Sequence, residues 1–100
     1  MKIKIGDQKY KLILRLDRSR DDGTGVSASA SAWYNKIWIS TEDRTCDAII
    51  SDLWHEIIEM IDKQYNLSFS HQTITTLASA IYQVIQDNEK TLLKLQKRMA

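Results

Sequence analysis

The most regular pattern of apolar and polar positions in the chain runs from Cys46 to Tyr65. Apolar residues recur there at spacings of three and four, which gathers them on one broad face of a helix. The residues of that face are Ile49, Ile50, Leu53, Trp54, Ile57, Ile58, Ile61 and Tyr65. The pattern therefore predicts an amphipathic helix over residues 46–65 whose apolar face packs on the core.

The opposite face of this predicted helix carries Asp52, His55 and Glu59, and Glu56 lies one position round from them. Residues four apart are neighbours on a helix surface, so His55 and Glu59 can reach one ion or one substrate atom. A histidine and glutamates on the polar side of a helix are also common as a plain solvated face, and short motifs often match by chance. Both interpretations are open from these residues alone.

Alternating residues before the helix predict two β-hairpins. The first combines Lys2 to Ile5 with Tyr10 to Leu16. The second combines the alternating serines and alanines of Ser27 to Trp33 with the short strand Ile37 to Ser40. The polar segment Arg18 to Gly25 holds two glycines and predicts a loop between the hairpins.

After the first helix, a second apolar repeat predicts a helix over residues 71–87, with Ser70 as its N-cap. Asp87 and Asn88 predict a stop, followed by a short basic helix over 89–99.

The predicted fold is a single α+β domain over residues 1–100. A small, mostly antiparallel sheet from residues 1–40 packs on two main helices, and the short third helix completes the chain. The predicted core consists of Leu14, Ile37, Ile39, Ile50, Leu53, Trp54, Ile57, Ile61, Leu77, Ile81 and Ile85.

Length and composition agree with one globular domain. The chain has 100 residues, of which 43% are hydrophobic and 27% charged, so disorder is not expected. It lacks an apolar run of about 18 residues and the apolar core of a signal peptide, which predicts a cytoplasmic protein with no membrane partner. The single cysteine, Cys46, excludes an internal disulfide and a cysteine-rich zinc finger, and we interpret it as a packing or helix-start residue.

Charge is distributed unevenly, although the net charge is only +1. Residues 1–20 carry seven lysines or arginines against two aspartates, and residues 90–100 carry four more basic side chains. The acidic middle of the chain favours a bound cation near the first helix, whereas the basic ends could contact phosphate. Lysines that alternate along an edge strand more often serve solubility, so the sequence alone does not favour a nucleic-acid partner.

Three stretches, in this order, resemble the short zincin-like proteins of phage and prophage genomes, and more broadly the ImmA/IrrE-type and minigluzincin metallopeptidases. They are Lys36 to Ile39, which follows the small-residue stretch, Leu53 to Asp62, and Leu77 to Asn88. The resemblance covers about residues 26–88. It implies a minimal zincin-like fold with a variant of the His-Glu-x-x-His motif, written here His-Glu-Ile-Ile-Glu.

Carried over residue by residue, the resemblance implies His55 as the first metal-binding histidine and Glu56 as the catalytic general base. Glu59 occupies the second ligand position, where the family has histidine. When Leu77-Ala78 is aligned with a Phe-Ala pair of the family, His71 occupies the place of the glutamate ligand. The implied zinc site is thus permuted but still holds two histidines and one carboxylate. The alternative for His71 is a polar residue in the first turn of a helix.

Such a site implies zinc-dependent peptide hydrolysis, in which Glu56 takes a proton from water and passes it to the leaving amine. Tyr82 and Tyr34 are the candidates for a second donor to the carbonyl oxygen. The hairpin Trp33 to Ile39 offers an edge on which an extended peptide could add a strand.

Three functions are compatible with the sequence. The favoured one is a degenerate zincin-like protein that acts by protein interaction, since loss of a ligand usually means loss of catalysis. The second is an active minimal zinc metallopeptidase that uses His55, Glu59 and His71. The third is a nucleic-acid-associated phage accessory protein. A peptide or protein is the expected partner in the first two cases.

Overall fold

The computed structural model describes residues 1–15 and 27–100, which form an α+β fold. One helix packs on a four-stranded sheet, and a second helix packs on the first. The predicted fold class is confirmed. The elements are β1 (Lys2–Ile5), β2 (Gln8–Arg15), β3 (Ala28–Ser31), β4 (Lys36–Ser40), α1 (Cys46–Tyr65) and α2 (His71–Met99). The predicted loop Arg18 to Gly25 and the strand residue Leu16 lie outside the described residues.

The sheet has the strand order β1-β2-β4-β3. β1 with β2 and β3 with β4 are antiparallel hairpins, as predicted, and the two hairpins are joined through a parallel pairing of β2 with β4. The expectation that the hairpin Trp33 to Ile39 offers a free edge is wrong for β4, because β4 is paired on both sides. In the described part of the chain, the outer strand of this hairpin is β3.

The turn between β1 and β2 is fixed to the end of α1. Gly6 has a φ of +61°, and a Cβ atom at this position would collide with the side chain of Gln64. The Gln64 amide Nε2 donates to the Ile5 carbonyl (2.8 Å) and to the Tyr10 hydroxyl (3.2 Å). Glycine is therefore needed here for both its backbone conformation and its lack of a side chain.

The apolar core has two parts, one on each side of α1. Between the sheet and α1 the buried residues are Ile5, Tyr10, Ile37, Ile39, Ile57 and Met60, and between α1 and α2 they are Ile58, Ile74 and Ala78. The predicted residues Leu53, Trp54, Ile61, Leu77 and Ile81 pack against these clusters while partly buried. Since α1 is covered on both sides, its apolar stripe is broad.

Three predicted core residues are exposed, namely Leu14 (47%), Ile50 (38%) and Ile85 (36%). Leu14 and Ile50 lie near one end of their strand or helix, whereas Ile85 lies in the middle of α2. The Tyr82 hydroxyl contacts Asp47 at the start of α1, so Ile85 already lies past the end of the α1–α2 contact. Hydrophobic periodicity identified the correct face in each case but not its covered length.

Both helices have an N-cap side chain, and for the second helix it is the predicted Ser70. The Thr45 hydroxyl accepts from the Ala48 amide, and the Ser70 hydroxyl accepts from the Thr73 amide, both at 3.1 Å. Helix α1 ends at Asn66, which adopts the left-handed conformation. These caps fix the first residue of α2 as His71.

Helix α2 extends to Met99, with non-helical backbone angles at Asn88 (φ −125°, ψ 17°). The predicted stop lies at this kink, and the predicted short helix is the distal part of α2. Residues 83–100 are exposed throughout. Neither helix in the described ranges has an apolar stretch of the length needed to cross a membrane.

Candidate metal centre

An open cavity of about 520 Å³ lies between β3, α1 and the start of α2. All four predicted site residues line it. The lining residues are Ser27, Ala28, Ser29, Ala30, Asp52, His55, Glu56, Glu59 and His71. The small side chains of β3 leave this space open.

The α1 residues His55, Glu56 and Glu59 form a compact cluster at the floor of the cavity. One ligand atom from each lies within 4.8 Å of the others. The His55 Nε2 atom is 3.9 Å from Glu59 Oε2, and both side chains are partly buried. Two ligands on a tetrahedral zinc ion lie about 3.3 Å apart, so small side-chain rotations would bring this pair to ligand distance.

His71 reaches the same cluster from the other helix. Its ring centroid lies 5.0 Å from that of His55, and the two ring planes are inclined at 57°. Two imidazoles that bind one tetrahedral zinc ion through nitrogen, at about 2.1 Å each, have ring centroids about 5 Å apart. The ring positions therefore suit two ligands of one ion.

Two ligand sets can be drawn from these contacts, and among the described residues only the first has its ligand atoms within 4.8 Å of one another. Distances among ligand atoms group His55 with Glu56 and Glu59, whereas the ring contact groups His55 with His71. In the set His55, Glu59 and His71, Glu56 would be left beside the ion as a base. Three protein ligands also leave a fourth position for water or substrate.

Glu56 is the most unusual ionisable group of the site. It is only 6% exposed, and within the described residues its Oε2 atom has no hydrogen-bond partner. Burial raises the pKa of Glu56 to about 8, with further contributions from the Glu59 and Asp52 carboxylates that outweigh the opposing charge of Lys63. In the metal-free protein this environment favours the neutral carboxyl group, whereas a nearby cation would favour its ionised form.

Asp52 is held in place by Arg44, a residue that the sequence analysis did not single out. Arg44 Nη2 lies 2.5 Å from Asp52 Oδ2 and also donates to the Ala48 carbonyl (3.2 Å). Nη1 donates to the carbonyls of Ser40 (2.8 Å) and Ser27 (3.4 Å). The guanidinium group thus joins β4, the start of β3 and α1, and it balances the Asp52 charge at the cavity wall.

The open edge of β3 runs along the cavity. The Ser27 carbonyl accepts from the Ser40 amide at 2.8 Å, so Ser27 belongs to a hydrogen-bonded pair with β4. In an antiparallel ladder such pairs alternate with pairs whose backbone groups point away from the partner strand. By the observed register, the backbone N–H and C=O groups of Ala28 and Ala30 therefore point to the outer edge of the described sheet.

The two tyrosines proposed as second donors do not line the cavity. The Tyr82 hydroxyl donates to Asp47 Oδ1 at 2.7 Å, in the first turn of α1, and this contact raises the pKa of Tyr82. Tyr34 is 67% exposed, in the turn between β3 and β4. The polar side chains available at the cavity are instead the histidines and serines. Cys46 is exposed and begins α1, away from the cavity.

No family model matches the chain, and comparison with curated proteins and with solved structures gave no match either.

Proposed function

We propose that the cavity binds a divalent cation, with zinc as the best candidate, through His55, Glu59 and His71, and that the protein is a zincin-like metallopeptidase with a permuted ligand set. The observation that carries the proposal is the 5.0 Å separation of the His55 and His71 rings, which come from different helices. On this basis we rank the active enzyme above the degenerate interaction protein that the sequence alone favoured.

The charges around the cavity suit a divalent ion. Arg44 balances Asp52, which leaves the Glu56 and Glu59 carboxyls to offset two positive charges. The buried Glu56 Oε2, with no hydrogen-bond partner in the described ranges, is a polar atom that lacks compensation in the metal-free protein. A cation at the cluster would supply that compensation.

The chemistry follows from the position of Glu56 beside the proposed ligands. Zinc held by three protein groups would supply a water acidic enough to lose a proton near neutral pH. Glu56 would accept that proton and deliver it to the leaving amine of a peptide bond. In the metal-free protein, burial gives this carboxyl a raised proton affinity, which favours acceptance of a proton from water.

The substrate class is proposed from the position of β3. The outward backbone groups of Ala28 and Ala30 can pair with an extended peptide, which would then cross the cavity above His55 and Glu56. Alanine side chains at this edge leave room for the substrate main chain. The proposed partner is therefore a peptide or an extended protein segment.

Metal content is the decisive measurement. Untagged protein purified without added metal should contain about one zinc ion per chain by mass spectrometry. His55→Ala and His71→Ala should each lose the ion, whereas Gln72→Ala, a change of the adjacent exposed residue, should retain it. Retention of zinc by His71→Ala with loss in Glu56→Gln would favour the alternative ligand set.

Activity separates the two remaining functions. Glu56→Gln should keep zinc but lose hydrolysis of unstructured peptides by at least about a hundredfold, as expected for a general base. A wild-type protein that takes up no zinc at any concentration would instead be a degenerate zincin-like scaffold. In that case the β3 edge would be tested for peptide binding without cleavage.

A further inference from the structure

The sheet has a second face, opposite to α1, on which basic side chains are concentrated. The core residues of the strands point to α1. Strand alternation and the observed pairings place the six basic residues of the strands on the other side. This basic face consists of Lys2, Lys4, Lys9, Lys11, Arg15 and Lys36. None of the four strands contains an acidic residue.

The pairings make the lysines close neighbours. Lys11 lies between Lys2 on β1 and Lys36 on β4, and Lys4 is paired with Lys9. Neighbouring strands are about 4.8 Å apart, and like charges directly opposite one another destabilise a sheet. Within the described residues no acidic side chain forms an ion pair with any of these lysines. The arrangement therefore has an electrostatic cost in the free protein.

Protection of sheet edges does not account for this cluster. Edge protection requires charge on the outer strands, but Lys11 and Lys36 lie on β2 and β4, the two central strands of the described sheet. No described helix packs on this side of the sheet. Three acidic residues of α1, Asp52, Glu56 and Glu59, line the cavity on the other side, so the net charge of +1 conceals two oppositely charged surfaces.

Aromatic side chains accompany the lysines. Trp38 is on the basic face, because β4 pairs it with Ile13 and alternation sets it opposite to Ile37 and Ile39. Trp33 and Tyr34 lie in the β3–β4 turn, where Trp33 is 88% exposed and Tyr34 is 67% exposed. The turn is attached to β2 through the hydrogen bond from the Lys11 amide to the Asn35 carbonyl (2.9 Å).

We propose that this face binds single-stranded nucleic acid. Lysine ammonium groups would contact the phosphates, and the exposed rings of Trp33 and Tyr34 would stack on bases at one end of the lysine rows. A sheet face of this kind suits a single strand, whose bases are free to stack, better than a duplex, whose bases are already paired. This site is separate from the cavity and does not depend on the proposed metal.

The test is fluorescence anisotropy with a labelled oligothymidine of about 20 nucleotides, between about 50 and 200 mM salt. Wild-type affinity should fall steeply with salt, by a slope of about 0.7 per phosphate contact. Lys11→Gln/Lys36→Gln should weaken binding about tenfold and reduce the slope by about 1.4. Trp33→Ala/Tyr34→Ala should weaken binding while leaving the slope unchanged.

The matched control is Lys90→Gln/Lys94→Gln, which removes the same charge from the exposed distal part of α2. This variant should bind as the wild type does, and EDTA should have no effect. Absence of wild-type binding at the lowest salt concentration would overturn the proposal, as would equal loss in both lysine pairs. Binding to phosphatidylserine vesicles but not to the oligonucleotide would also overturn it, in favour of a membrane surface. Circular dichroism checks that each variant is folded.

Discussion

The imidazole rings of His55 and His71 lie with their centroids 5.0 Å apart, although one belongs to the middle of α1 and the other begins α2. The connection between the helices produces this contact. Its backbone turns at Asn66, and the Phe69 amide donates to Asp62 Oδ1 at 2.9 Å. The connection therefore folds back beside α1, and the first residue of α2 lies at the cavity.

If the ligand set is permuted, exchanging the two ligand types should preserve it. The double variant Glu59→His/His71→Glu keeps two imidazoles and one carboxylate around the same point. We expect it to bind zinc within about tenfold of the wild-type affinity, because the donor set is unchanged. Isothermal titration with zinc measures this. Glu59→Ala/His71→Ala is the control and should lose binding, and equal loss in the exchange variant would contradict the assignment.

The raised pKa of Glu56 predicts a pH-dependent stability of the metal-free protein. The folded-state pKa is about 8, against an ordinary value of 4.5. Between these pH values the unfolded chain releases the proton while the folded chain retains it, so the stability contributed by this group is lost as pH rises. Glu56→Gln removes the effect and should be more stable than wild type at pH 8 by a few kcal/mol, since each pKa unit corresponds to about 1.4 kcal/mol.

Urea unfolding in EDTA, at about pH 4.5 and about pH 8, measures the free energies for this comparison. Near pH 4.5 the variant and the wild type should differ little. The control is Glu42→Gln, which neutralises an exposed carboxylate. A Glu56→Gln variant whose advantage is the same at both pH values would mean that Glu56 does not titrate as proposed.

Arg44 should be important for stability as well as for the cavity wall. Its side chain is 10% exposed and donates to four acceptors on three elements. Arg44→Ala removes the cationic partner of Asp52, which keeps only the Ser27 hydroxyl as a donor, and leaves several carbonyl groups without theirs. We expect a loss of about 2–3 kcal/mol in the free energy of unfolding. Arg44→Lys should recover little, because an ammonium group cannot span these acceptors. A loss below about 0.5 kcal/mol, the range of exposed substitutions such as Lys90→Ala, would show that the contacts are dispensable.

The distal part of α2 should be dispensable for the metal site. Residues 83–100 are exposed, and none of them lines the cavity. Removal of residues 89–100 should therefore change neither zinc uptake nor peptide hydrolysis. The zinc content and the rate of peptide hydrolysis are measured for the intact and the shortened chain. A gain in either after truncation would indicate that the distal helix covers the cleft in solution.

Much of the local structure was predictable from the chain itself. The period of the apolar residues gave α1 as Cys46 to Tyr65, which are its observed limits. The polar pair Asp87-Asn88 predicted the interruption that the structure has at Asn88. Local prediction was wrong for Leu14, Ile50 and Ile85, because burial depends on how far neighbouring elements extend.

The sequence by itself determined the two hairpins, the helices and the i, i+4 placement of His55 and Glu59, since these depend on contacts between residues close in the chain. Only the tertiary structure decided the parallel pairing of β2 with β4, the burial of Glu56 and the contacts of Arg44. Residues far apart in sequence make these contacts, and no local period encodes them. The same holds for the approach of His71 to His55 and for the gathering of Lys2, Lys11 and Lys36 on one face, where the strand pairing sets the distances between charges.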